Sequence, residues 1–568
     1  MNQNDALAQA YLFFQHGKFT AAHALLQPLA QSHSATPDLL HLAGAAAAAV
    51  GLHGEALSWL RRALAAAPGN LAISYKLARV LVDVGQRQEA LSIYLQLMVD
   101  GVEHADIYCA AAVLLREFQR DQEALQAIAK ALQLAPQSPD SWYLQALLQV
   151  RLEQLPAAAE SLQQAIALAP AQAQYHLDLA LTWHALHRDE AALGAIEQAL
   201  ALEPQAVAAW NARAAILSRL CRYEESIASG KRALLLQPED ADASVNLALS
   251  LLTLGQMEPA WPLYEARWQA ALADPLRHQQ IARWSGTTAL RGKTILIWSE
   301  QGFGDTVQFC RYVTAVAALG ARVVFEVPDR LRALLRTLTR DDQTDTDAIS
   351  VVAIGDALPA VDYQIPLMSL PLLFNTQMAS IPAASAYLSS DAHKRAAWQE
   401  LLPSEPAGAP PRLRIGIACS GNVGNRRDGL RSVPLAAFAP LLESIDADFY
   451  LIQPELRQAD YAFLQDATLL QWPGRQLQDF DDTAALLVNL DLLICVDTAV
   501  AHLAGALGVP VWIMLGQAAD WRWFRERDDS PWYPSARLFR QAQTGNWTEL
   551  VERIRHTLVG DLRTESAS

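Results

Sequence analysis

Two strand-to-helix turns in the second half of the chain hold the residue types that seat anions. The first reads Glu300-Gln301-Gly302-Phe303-Gly304-Asp305 and leads into an amphipathic run that ends at Gly320. Gly302 and Gly304 let backbone amides approach a phosphate or a sugar, and a helix start favours negative charge. Asp305 also has a purely local reading, because Gln308 three residues on would complete a capping box with it. The second turn runs Asp497-Thr498-Ala499-Val500-Ala501-His502 and stops at Gly508 before Pro510. An Asp-Thr cap on a helix of small residues leaves free amides at the helix start, a seat for a phosphate or diphosphate. His502, about one turn in, would donate to a phosphate oxygen; the alternative is a histidine satisfied inside the core.

A third group surrounds Ser420, Gly421 and Asn422, with Arg426, Arg427 and Arg431 following. Arginines in a loop above a cleft neutralise phosphates with fork geometry, Arg431 being the first candidate, and a solvated charge run is the other reading. Gln453, at the end of an apolar run, falls where such a fold contacts a base or ribose. Trp521, Arg522, Trp523 and Phe524, then Trp532 and Tyr533 and the stretch Arg537 to Arg540, are dense in aromatics for a surface loop. Trp521, Trp523 and Trp532 suit an acceptor-facing lid or an apolar clasp equally, since aromatic faces serve both. Asp479-Phe480-Asp481 has the spacing of a metal-dependent sugar-transfer motif that belongs to a different fold, and no metal site is expected.

These residues need a scaffold of parallel α/β units, and the sequence supplies short β-rich runs alternating with helical ones. Runs beginning at Thr294, Arg322, Ile349 and Asp362 predict strands of a first lobe over 292–400. An Ala- and Pro-rich segment over 401–411 reads as a linker. Runs beginning at Arg414, Asp448, Leu492 and Val509 predict a second, nucleotide-sugar-binding lobe over 412–560, closed by a terminal helix from Thr548 to Val559 expected to pack back across the lobes. Two such lobes facing one another surround one cleft with their strand carboxyl ends, where these sheets bind ligands.

The first half repeats itself. Pro68, Pro136, Pro170, Pro204 and Pro238 close near-identical phrases, and their spacing sets a period of 34 residues. In that frame position 8 is small in every unit: Ala10, Gly44, Ala78, Ala112, Ala146, Ala180, Ala214 and Ala248. Position 20 follows suit with Ala22, Ala56, Ala90, Ala124, Ala158, Ala192, Ser226 and Ala260. Small residues on two helical stretches let paired antiparallel helices approach, and the proline ends the second helix. The pattern resembles the tetratricopeptide repeat, about eight units over 1–272, with a linker over 273–291 leading to the first lobe. Stacked repeats expose a concave groove, which implies a polypeptide client; rigidifying or dimerising the chain is the other use.

The stretch from Glu300 to Val313 resembles the N-terminal loop of bacterial tetratricopeptide glycosyltransferases related to the lipopolysaccharide heptosyltransferases. The resemblance implies the two-lobed GT-B fold, with Asp305 as general base for an acceptor hydroxyl and Glu300 as the alternative carboxylate. The stretch from Asp497 to Ala504 is similar to the family's donor-phosphate motif, with Ala499 standing where glycine is usual. Arg431 aligns in order with the family's phosphate-binding basic residue. The Trp521–Trp523 and Ser530–Pro534 stretches, and Trp261 to Trp268 as coupling segment, match the same family. The known protein O-GlcNAc transferases line their groove with asparagine at position 6, where this chain has Ala8, Leu42, Lys76, Ala110, Leu144, Asp178, Ala212 and Asn246. Any peptide is therefore held differently.

Composition narrows the function. A net charge of −16 opposes binding to nucleic acid, which needs clustered Lys and Arg. Five scattered cysteines fit a reducing compartment. The first residues lack a basic flank before an apolar core, and apolar runs elsewhere are broken well short of a membrane span. The expectation is a cytoplasmic, metal-independent, inverting protein glycosyltransferase, without a cofactor beyond its nucleotide-sugar donor, acting on Ser or Thr of a client such as flagellin. Two alternatives remain: a non-enzymatic scaffold with a decayed transferase half, and a transferase acting on a saccharide or lipid acceptor.

Overall fold

The structure, a computed structural model, describes residues 3–271, 273–339, 348–382, 386–402, 412–421, 424, 428–467 and 469–565. The expected linker over 401–411 lies almost wholly outside the described residues, as do Asn422, Arg426 and Arg427. The chain divides into two compact units, residues 1–212 and 213–568.

Helix pairs recur at the period read from the prolines. First helices begin at residues 3, 37, 71, 105, 139, 173, 207 and 241, and each is followed by a second helix after a short turn. Six pairs, from Gln3–Gln15 with Phe19–Ala30 to Ala173–Ala185 with Asp189–Leu202, fall in the first unit. The small residues at positions 8 and 20 are buried where helices cross. A Cβ on Gly44 would stand 2.6 Å from Leu60 Cγ, so even alanine is too large there. Ser226 replaces alanine at position 20 because its hydroxyl finds partners, donating to the Ala214 carbonyl at 2.7 Å and pairing with Ser250 Oγ. Second helices end one residue before the pre-proline position. Ala67, Ala135, Ala169, Glu203 and Gln237 all turn out of the helical region there, as a residue before proline must.

The second unit takes in the last repeats and two parallel sheets. The first sheet has strands β1 (Thr294–Trp298), β2 (Arg322–Val327), β3 (Ile349–Ala353) and β4 (Tyr363–Pro366) in the order β3-β2-β1-β4. The second has β5 (Leu413–Ala418), β6 (Ala447–Leu451), β7 (Leu470–Gln471), β8 (Leu492–Val496), β9 (Val511–Leu515) and β10 (Ala536–Arg540) in the order β10-β9-β8-β5-β6-β7. Every pairing is parallel, and fully apolar strands such as β8 and β9 are what a sheet covered on both faces requires. The stretch Arg537 to Arg540, read from sequence as part of an aromatic loop, is the edge strand β10.

Other segments sit differently from their sequence reading. Residues 273–291 are not a free tether. Gln364 of β4 donates its amide to the Ala282 carbonyl, and Trp284 donates to the Gln364 carbonyl, so this segment extends the first sheet by one short bridge. Arg277 and His278 close on the buried Glu326 at the end of β2. The terminal helix, Trp547–Glu565, packs through Leu550, Val551, Ile554 and Leu558 on Phe438 and Leu441 of the second lobe rather than across to the first. One apolar cluster runs from Ile227 and Leu247 of the last repeats, through Ile297 and Phe309, to Cys495 and Trp532. The last repeats and both sheets of this unit thus share a core.

Candidate active site

In open parallel sheets a crevice opens where neighbouring strands lead off in opposite directions. The strand orders put those points between β1 and β4 and between β5 and β8. Glu300 follows β1 and Asp497 follows β8, and the helices that begin next, Phe303–Phe309 and Ala499–Leu507, pack against each other. A Cβ on Gly304 would lie 2.9 Å from His502 Cδ2 and 3.5 Å from Ala499 Cα. That contact accounts for Ala499: the glycine that lets the backbones approach stands on the facing helix. Gly505 answers a similar demand, since a Cβ there would run into the Tyr533 ring at 2.4 Å.

In the first turn Gln301 takes a left-handed backbone (φ 59°) and its amide donates to the Tyr264 hydroxyl at 3.0 Å. Gly302 caps the next helix, and its amide donates to Asp305 Oδ2 at 2.7 Å. Asp305 is therefore the third helical residue reaching back, not the first residue of a box with Gln308. Glycine has no side chain to return the bond, so only half of a capping box is built. Asp305 Oδ1 is ion-paired with Arg522 of the second lobe. Gln308, fully buried, receives Arg522 Nε on its Oε1 at 2.8 Å.

Glu300 is 7% exposed and does not reach the cleft surface. The Arg267 guanidinium grips both its oxygens at 2.8 Å, and the Met368 amide donates to Oε1 at 3.0 Å, tying β1 to the end of β4. Burial pushes the carboxyl up, against the pull of that fork. Of the two candidate carboxylates, Asp305 alone faces the helix pair.

In the second turn Thr498 caps its helix by accepting from the Val500 amide at 3.2 Å, and Arg431 Nη1 donates to the Asp497 carbonyl at 2.9 Å. Gly421 lies against that guanidinium. Burial, then the neighbouring Asp520 carboxylate, push Asp497 up to about 6, while Arg431 and Arg522 oppose. His502, 5% exposed, shares a hydrogen bond with the Tyr533 hydroxyl through Nδ1 at 2.9 Å and stacks on Trp523 at 5.1 Å. Burial first, then Arg522, hold its pKa down at about 3, so the ring is neutral. Its Nε2 side faces Gly304.

Gln453 spends its amide on structure. Its Oε1 accepts from the Cys419 and Ser420 amides, and its Nε2 donates to Ser420 Oγ and to the Glu455 carbonyl. It shapes the turn after β5, where Ser420 sits. Trp521, Trp523 and Trp532 are 4%, 0% and 0% exposed. Trp521 packs on Trp261 and Tyr264 from the last repeat and on Trp532, which is the clasp rather than the lid. Phe303, at the start of the first helix, is the more exposed aromatic, 36% accessible and 5.1 Å from the Phe480 ring. Lys394 contacts the carboxylates of Asp479, Asp481 and Asp482, placing an ammonium where the spacing had suggested a cation motif.

Arg522, Gln308, Asp520, Tyr533 and Arg267 did not emerge as site residues from the sequence. Arg522 stood in plain view between two tryptophans, but its partners Gln308 and Asp305 lie more than two hundred positions away. Among the described residues no helix is long and apolar enough to cross a membrane.

The tetratricopeptide repeat family matches residues 7–70, 75–139 and 143–195. This region carries tetratricopeptide repeats. Protein FlbA of Caulobacter vibrioides is 32% identical over 325 residues, covering 54% of this chain and 53% of that protein, so the match spans about half the length of the curated relative. Among solved structures, the repeat protein YrrB, described as having an unusual peptide-binding site, is 19% identical over 32% of this chain and 95% of its own, with a TM-score of 0.31. The C-terminal part of a repeat protein from Cytophaga hutchinsonii is 14% identical over 42% of this chain and 99% of its own, with a TM-score of 0.37.

Proposed function

We propose that the second unit is a GT-B glycosyltransferase that moves a sugar from a nucleotide-activated donor to a Ser or Thr hydroxyl of a protein client, with inversion and without a metal. The observation that carries the reading is the meeting of two helix starts at the crevice points of two parallel sheets, Gly304 against Ala499 and His502, with Asp305 on one side and Arg431 beside Asp497 on the other. The positive end of the nine-residue helix Ala499–Leu507 would favour a diphosphate, and Arg431 adds a fixed positive charge where the leaving phosphate gathers negative charge. Asp305 would take the acceptor proton as the hydroxyl oxygen attacks the anomeric carbon. The neutral His502 offers an uncharged ring nitrogen to the same region.

The client side rests on the repeats. Between helices His53–Ala66, Leu71–Asp83 and Arg87–Val99 lies a hollow of about 740 Å³ lined by Leu64, Leu71, Leu77, Ile93 and Leu97, with Arg61 and Glu89 at its edge. Such a mixed surface suits an extended segment of polypeptide, and flagellin is the first client to test. The scaffold reading keeps one observation in its favour: both oxygens of Asp305 are already engaged.

A thermal-shift screen against UDP-, GDP-, ADP- and CMP-sugars, with Asp497→Ala as control, tests the reading, because a ligand that binds only the fold raises its apparent stability by mass action. A shift with one nucleotide class, lost in the variant, supports a transferase and directs acceptor assays. A folded protein that responds to none supports the scaffold.

A further inference from the structure

We propose that Arg522 is a positioning residue that reaches from the second lobe to the first and fixes the aim of Asp305. The inference rests on Asp305 being the base of the transferase described above. Arg522 spends its donors in three directions: Nε to Gln308 Oε1 at 2.8 Å, Nη1 to Asp520 Oδ1 at 2.8 Å, and Nη2 to Asp305 Oδ1. Its charge centre lies 4.4 Å above the Trp521 ring and 5.7 Å from that of Phe309, so the guanidinium plane is held on a face as well as at its edges. Asp520 caps the short turn Trp521–Trp523, which anchors the arginine's own backbone. A planar fork held this way cannot swing, and it passes its orientation to the carboxylate it grips.

The surroundings give that contact an electrostatic consequence. Tyr264 of the last repeat, Gln308 of the helix Phe303–Phe309, Asp520 of the Trp521 turn, His502 and Asp497 of the facing turn, and Arg431 are the polar groups around the pair. His502 is neutral and burial pushes the Tyr264 hydroxyl up to about 12, so neither supplies charge near neutral pH. Arg522 is then the cation in contact with Asp305. One lone pair on each Asp305 oxygen remains after the Gly302 amide and Arg522 are counted, enough to accept one proton from a hydroxyl. In the transfer step that proton goes to Asp305, the acceptor oxygen bonds the anomeric carbon, and the bond to the diphosphate breaks with its electron pair leaving on phosphate. Without Arg522 the carboxylate loses its fixed direction.

The test measures kcat and donor KM for donor consumption by the full chain in wild type, Arg522→Lys and Arg522→Gln, using the donor class found in the nucleotide-sugar screen. The expected result is a kcat lowered about tenfold or more in Arg522→Gln at nearly unchanged donor KM, with Arg522→Lys partly restoring it. A kcat unchanged in Arg522→Gln, or a loss carried wholly by the donor KM, would overturn the inference while leaving the transferase intact. A thermal-unfolding cycle of Asp305→Asn, Arg522→Gln and the double variant runs beside it without ligand. A double variant that loses less than the sum of the singles is expected, and strict additivity would remove the linkage itself. Coupling without donor consumption by any form would sink the base assignment and leave Arg522 as a strut.

Discussion

The two strand-to-helix turns of the second unit are built alike and have opposite electrostatic fates. Each places a carboxylate just after a strand at a crevice point, Glu300 after β1 and Asp497 after β8, and each then opens a helix. Glu300 is gripped by a guanidinium fork and an amide, all of it buried, so its charge is spent on joining the last repeat to the sheet. Asp497 has no such fork on its carboxylate, and the nearby Asp520 works against its ionisation. The first turn moves its exposed chemistry five residues on, to Asp305 and Phe303; the second keeps it at the strand end. A carboxylate sealed on both oxygens by an arginine fork holds a fold together, whereas one faced by another carboxylate is a place where binding can improve the electrostatics.

The sharpest way to break this contrast is to remove the answer to Glu300. Arg267→Met leaves a buried carboxylate without its counter-charge, a change that typically costs about 3–5 kcal/mol. The denaturation midpoint of the second unit should fall well below that of wild type. Pairing it with Glu300→Met, which removes the stranded charge, should recover much of the loss, since a buried ion pair replaced by apolar groups is often close to neutral. A single variant as stable as wild type would show that water reaches Glu300 and that it is not the sealed partner described here.

His502 tests the other turn from the acid side. Its pKa is about 3 in the fold and 6.5 in the unfolded chain. Between those values the unfolded chain binds a proton that the fold does not, so this residue lowers stability progressively as pH falls below about 6.5. The full effect is on the order of 4 kcal/mol by pH 3. His502→Gln lacks the titration. Whatever constant cost the substitution carries, the gap between wild type and variant should close or reverse as unfolding is followed from pH 7 to pH 4. A gap that stays constant over that range would mean the imidazole titrates normally and is open to solvent.

How much of this was legible beforehand depended on how far apart the interacting residues lie. The repeat period, the buried small residues and eight of the strands follow from local spacing, since prolines and alternating apolar runs act on their neighbours. The turn between paired helices carried a periodic signal too. Gly17, Gly51, Gly85 and Gly255 share one position with Gln119, Glu153, His187 and Cys221, and all eight are left-handed. The four larger side chains hid that position among ordinary polar residues. Strand β10 was obscured because its aromatic and basic residues match those of the loop before it. The ends of the candidate site were readable as loop-and-cap motifs, but their partners were not: Arg267 to Glu300, Arg522 to Asp305 and Tyr533 to His502 are set by packing, on which sequence spacing is silent. Burial of Trp521 and Trp523 likewise follows from what packs over them.

The smallest of these effects concerns Asp497 itself and carries the opposite sign. A carboxyl raised to about 6, against its ordinary 3.8, keeps in the fold a proton that the unfolded chain has already released between about pH 4 and pH 6. Stability from this group therefore declines as pH rises through that window and stays low above it. The size is at most about 3 kcal/mol, and Arg431 beside it reduces the net effect. Asp497→Asn keeps the backbone carbonyl that accepts from Arg431 and removes the charge facing Asp520. It should match wild type near pH 4 and exceed it in thermal stability at pH 7 and above. The slopes of Asp497 and His502 oppose each other between pH 4 and 6, so each must be read against its own variant, not from the wild-type curve. If Asp497→Asn is no more stable at pH 7, a cation or a water network already answers that carboxylate, and the difference between the two turns is one of partner, not of strain. If it is more stable and also binds no nucleotide, the unanswered charge is the cost of keeping the second turn ready for a ligand.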